Sequence, residues 1–123
     1  MFALLFGIIH ALLVVAAIII GALSLKWIIG YIKKKYNEKK EHEKIVFADT
    51  EEVINDYLKE KIKETEPISM EELEKMCEDK PYVAAYYDEE TDELRDVEAF
   101  KPEDIDTKAK QYMEDSDGII VVD

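Results

Sequence analysis

The chain has few of the residues from which most catalytic and metal sites are built. Its 123 residues include one cysteine, two histidines, four glycines and three prolines. Cys77 alone cannot close an intramolecular disulfide. It stands with Met70, Leu73 and Met76 at helical spacing, where a thiol packs as a small apolar group. A nucleophilic Ser or Cys needs a histidine to take its proton. His10 lies in an apolar run and His42 in a charged one, and neither is placed to serve a Ser or Cys downstream. Structural zinc needs clustered Cys and His, which one cysteine cannot supply. Gly7, Gly21 and Gly30 fall in or beside the first apolar run, so no glycine-rich phosphate loop exists. The sequence therefore offers no catalytic residue, no cofactor-binding residue and no metal ligand, and it reads as a non-enzymatic chain.

Positive charge is scarce where it would matter for nucleic acid. The net charge is −13, distributed as +4 over residues 1–44 and −17 over residues 45–123. An acidic domain repels phosphate backbones, which excludes nucleic acid as a partner and favours a protein partner with a basic patch. Asp88, Glu90, Asp92 and Glu93 crowd one turn. Counted from Asp88, the glycine and glutamate of a calcium loop would have to stand where Glu93 and Ala99 do, so that pattern fails. The other carboxylates fall on polar faces and turns, where nothing raises a pKa for acid catalysis.

Charge is wholly missing from Met1 to Leu25. A helix of that length rises about 37 Å, enough to cross about 30 Å of hydrocarbon. A cleaved secretory signal would need a basic start, and Met1-Phe2-Ala3 has no basic side chain. The run reads as a transmembrane anchor over residues 1–32. Lys26, Lys33, Lys34 and Lys35 follow it, which places the N-terminus outside and the C-terminal domain in the cytoplasm, at the inner membrane. Those lysines would contact inner-leaflet lipid, with Trp27 and Tyr31 in an aromatic belt. Ala3, Gly7, His10, Val14, Ala17, Gly21, Ser24 and Ile28 follow a 4-3-4-3 spacing. That spacing predicts a helix-association seam and a homo-oligomer, with Ala3, Gly7, His10, Ala17, Gly21 and Ser24 forming the face.

Residues 33–44 form a Lys/Glu-rich linker, and residues 45–123 read as a small acidic α+β domain. A strand at Ile45–Ala48 is followed by a helix from Glu51 to about Glu64, with Asp49 or Thr50 capping it. Pro67 separates a second helix, opened by the capping box Ser69-Met70-Glu71-Glu72. Tyr82–Tyr87 and Leu94–Phe100 make a β-hairpin. Pro102 stops the strand, a third helix ends near Asp115, and Ile119–Val122 is the last strand. The order β-α-α-β-β-α-β suggests a mixed sheet of about four strands with helices on one face. The last two strands would run parallel across a helical crossover. Successive strand residues face opposite ways, so of Tyr86 and Tyr87 one should be core and one should offer a partner an aromatic contact. Together these features suggest a membrane-tethered interaction module. The alternative is a small membrane-active oligomer, holin-like or pore-forming, in which the helix is the working part.

Overall fold

Apolar alternation on two central strands sets the architecture. On β2 (Glu43–Asp49), Val46 and Ala48 point to one side and Phe47 to the other. On β3 (Tyr82–Asp88), Val83 and Tyr87 oppose Ala84. Strands buried on both faces need cover on both faces. The computed structural model describes residues 2–60 and 68–123. The remaining elements, in chain order, are α1 (Phe2–Leu12), β1 (Ala17–Leu23), α2 (Leu25–Glu38), α3 (Thr50–Glu60), α4 (Met70–Asp79), β4 (Glu93–Ile105), α5 (Thr107–Asp115) and β5 (Ile119–Val122). The five strands form one sheet in the order β1-β4-β3-β2-β5. β1 runs parallel to β4, and every other neighbouring pair is antiparallel.

Two apolar cores flank this sheet. Leu4, Leu5, Ile8, Ile9 and Leu12 of α1 join Val53, Ile54 and Tyr57 of α3 and Leu73 and Met76 of α4 over one face. Ile28 of α2 and Ala109 and Met113 of α5 cover the other, with Leu23, Phe47, Phe100 and Ile120. Helix caps fix the ends. Ser24 accepts from Trp27 N (3.0 Å), Ser69 from Glu72 N (3.1 Å) and Asp106 from Ala109 N (2.7 Å). Asp49 Oδ1 accepts from Glu51 N (3.0 Å) at the start of α3.

The expected membrane anchor is overturned. No helix among the described residues is long and apolar enough to cross a membrane. The run that begins the chain divides into α1, a turn and β1, so the single-pass topology, the inner-membrane location and the orientation read from the lysines fall with it. The physical reason is twofold. Ile18-Ile19-Ile20 is a β-branched run that favours a strand. The acidic domain also has a sheet face whose Val46, Val83 and Tyr87 need an apolar cover, and α1 supplies it. An uncharged run fits a protein interior as well as lipid. Lys80 Nζ reinforces the arrangement by donating to the Leu12 carbonyl, one of the carbonyls that the end of α1 leaves open.

Other expectations are corrected too. The sheet has five strands rather than four, and helices cover both faces. β4 and β5 are not parallel neighbours, because β5 pairs antiparallel with β2. Pro102 does not stop β4, which continues to Ile105. β3 pairs with β4 only as far as Phe100, so Pro102 lies where β4 has a partner on one side alone, β1, and a missing N–H is tolerated there. The expected end of the first domain helix, with Ile62 and Glu64, and the break at Pro67 lie outside the described residues.

Candidate functional site

The association face read from the 4-3-4-3 spacing is dispersed. Ala3, Gly7 and His10 lie on α1, Val14 in the turn, Ala17 and Gly21 on β1, Ser24 at the cap of α2 and Ile28 buried within it. His10 Nδ1 lies 2.9 Å from the Phe6 carbonyl. Gly7 permits a close approach to β4, since a Cβ there would stand 2.7 Å from Leu94 Cδ1. Lys26, Lys33 and Lys34 are exposed on α2, while Lys35 turns inward to Glu98 (3.0 Å). Trp27 and Tyr31 form no membrane belt. They stack at 5.3 Å and meet Phe100 edge-on in the second core.

Tyr86 and Tyr87 are both buried, at 2 % and 9 % exposure. Each face of β3 has a helix layer over it, so alternation does not send one of them to solvent. Tyr86 OH donates to the Lys35 carbonyl (2.6 Å), and its ring lies under the Arg95 guanidinium at 4.2 Å. Tyr87 OH donates to Asp92, which pushes the phenol up to about 12. Beneath Arg95 lies a bidentate pair: Nε donates to Glu43 Oε2 (2.9 Å) and Nη2 to Oε1 (2.7 Å). That pairing holds the buried Glu43 carboxyl down at about 2. A one-residue bulge at Asp96, with φ 53°, shifts the β3–β4 register beside Arg95. Glu98 receives Tyr31 OH and Lys35 Nζ. Burial acts to raise its pKa, but these two donors hold it lowered. These networks tie α2 and β2 to the hairpin.

An acidic cleft of about 620 Å³ opens where β2 and β4 end, lined by Asp49, Glu52, Asp56, Tyr82, Lys110 and Asp117 among others. Burial raises the Asp49 carboxyl. Burial and then the neighbouring Asp56 raise Glu52, and burial brings Tyr82 to about 12. Among the described residues, no group of three His, Cys, Asp or Glu is placed to hold a metal ion. Cys77 is half-buried on α4, and burial raises its thiol.

β1 presents an open edge of the sheet. It is an edge strand, and among the described residues only β4 pairs with it. Its seven residues, AIIIGAL, extend about 23 Å and carry no charge and no proline. Ile19 is 71 % exposed and Ile18 43 %, on opposite faces, and Gly21 and Ala22 are exposed as well. Val14, in the turn just before it, is 84 % exposed. The opposite edge differs. β5 has four residues and is followed by Asp123, which pairs with Lys44 at 3.1 Å. Natural sheets blunt their edges with short strands, charges, proline or bulges. β5 is short and charge-flanked, whereas β1 has none of these devices. Sequence reading misses this edge because an uncharged run of this length reads as one helix; its signal is the isoleucine triplet followed by Gly21.

No protein-family model matches the chain, and neither the curated proteins nor the solved structures give a significant match.

Proposed function

We propose that the chain is a non-enzymatic protein-interaction module that joins its partner by accepting a strand at β1. The supporting observation is the edge itself: a long, uncharged, unblunted strand with isoleucines open on both faces. Strand addition uses main-chain hydrogen bonds for affinity and alternate side chains for fit, and β1 offers both. The acidic cleft, whose lining includes no residue of β1, is a separate feature that favours a basic group over an acidic one. A tether or pore built on a spanning helix is not part of this reading, since no helix among the described residues is long and apolar enough to cross a membrane.

The test places a photocrosslinking residue at position 19 in the full chain. A matched control carries it at Asn55, exposed on α3. Position 19 should give protein adducts that disappear when Ile18 is also changed to Lys. Adducts of equal yield from both positions would overturn the proposal.

A further inference from the structure

We infer that the occupant of the β1 edge is β1 of a second copy of this chain, antiparallel about a two-fold axis at Ile20; this rests on the strand-accepting reading above. The argument is one of register. A two-fold axis perpendicular to the sheet keeps each face on its own side, so directly opposed residues must point the same way. Their sequence numbers then have the same parity, and the axis must pass through a residue rather than between two.

With the axis at Ile20, all seven residues of β1 (Ala17–Leu23) are paired. Ala17 opposes Leu23, Ile18 opposes Ala22, and Ile19 opposes Gly21 of the second copy. The two pairs that flank the axis each set an isoleucine against a small residue, so the exposed centre of the strand is complementary to itself; Leu23, in the outermost pair, is wholly buried in its own core. Ile19, the most exposed isoleucine of the strand, falls beside the residue that lacks a side chain. An axis at Ile19 sets Ile18 against Ile20 and Ala17 against Gly21, and leaves Ala22 and Leu23 outside. An axis at Gly21 leaves Ala17 and Ile18 outside. A foreign strand gains nothing from this internal symmetry; only a second copy uses it.

The assembly would be one continuous ten-stranded sheet. Its new joint contains no charged residue, because β1 has none. The net −13 of each copy opposes association through long-range repulsion, so added salt should tighten the dimer rather than loosen it. This dependence is opposite to that of a contact held by ion pairs.

The experiment uses the full chain. Sedimentation velocity over a concentration series should show a monomer–dimer equilibrium that shifts toward dimer with salt. Ile19→Lys should stay monomeric across the same range, with an unchanged Trp27 emission to show that it folds. Register is read separately in a Cys77→Ser background. Ile20→Cys places the two thiols on opposed residues, with Cα atoms about 5 Å apart, within disulfide reach. Ile18→Cys places its own counterpart four residues along the strand, about 13 Å away. Mild oxidation should therefore link Ile20→Cys and not Ile18→Cys. A chain that is monomeric at every concentration, or equal linking by both variants, overturns the inference. A monomer that still gives adducts with other proteins from position 19 removes the second copy but keeps the strand-accepting edge. A monomer with no such adducts removes both.

Discussion

Replacing Leu5 by Ala tests the central structural point, that the first apolar segment belongs to the folded core. Leu5 is fully buried on α1 beside Leu4, Ile8, Ile9 and Leu12, none more than 4 % exposed. Burying a Leu or Ile side chain stabilises by about 1.5–3 kcal/mol, so these five contribute roughly 8–15 kcal/mol before costs. That is comparable with the entire net stability of a small domain, about 5–15 kcal/mol. Leu5→Ala alone should cost about 3 kcal/mol, within the range for a buried Leu cut to Ala. Trp27 is the sole tryptophan and packs against Phe100 at 5.2 Å in the other core, across the sheet. Its emission therefore reports unfolding of the whole body rather than of α1. In a urea titration with a slope of about 2 kcal/mol per molar, the Trp27 midpoint should fall by about 1.5 M. Val14→Ala, at an 84 % exposed position, should change stability by less than about 0.5 kcal/mol. If Leu5→Ala left the Trp27 midpoint where it was, α1 would be no part of this core and the two-layer cover of the sheet would be wrong.

Arg95→Ala strands the Glu43 carboxylate, which is 6 % exposed, and should cost about 3 kcal/mol by the same titration. Glu43 also sets an acid limb. Its folded pKa of about 2 lies below the ordinary 4.5, so its contribution is whole above pH 4.5 and is lost as pH falls toward 2. Arg95→Ala should flatten that limb in a plot of midpoint against pH. Glu52 has the opposite sign: its pKa is raised, so ionisation at neutral pH costs stability and protonation relieves the cost. Glu52→Gln should raise the midpoint at pH 7, and the gain should shrink as pH falls through the carboxylate range. Gly118→Ala should destabilise by about 2 kcal/mol or more, lowering the thermal midpoint by about 8 °C. Gly118 sits at φ +80°, and a Cβ there would stand 2.7 Å from Glu52 Cβ.

Local signals were legible where they act over a few residues. Ser69 and Glu72 announce the start of α4, and the structure shows Ser69 capping it. The aromatic strand Tyr82–Asp88, the acidic turn after it and the returning β4 pair as the alternation implies, and Ile119–Val122 is a strand. The edge at β1 was not legible. It depends on where Ile18 and Ile19 stand relative to β4, eighty residues away, and no local pattern carries that information.

By itself, the sequence determined the chemistry: an acidic chain whose one cysteine and two histidines form no motif for nucleophilic or metal catalysis, and whose caps and turns punctuate most of its later elements. Only the tertiary structure decided what surrounds the opening apolar run. Hydrophobicity measures how strongly a segment leaves water, not what it enters. The choice fell to the uncovered sheet face of Val46, Val83 and Tyr87, which α1 covers, and to the free side of β4, which β1 pairs with before presenting an edge of its own that no other described strand pairs.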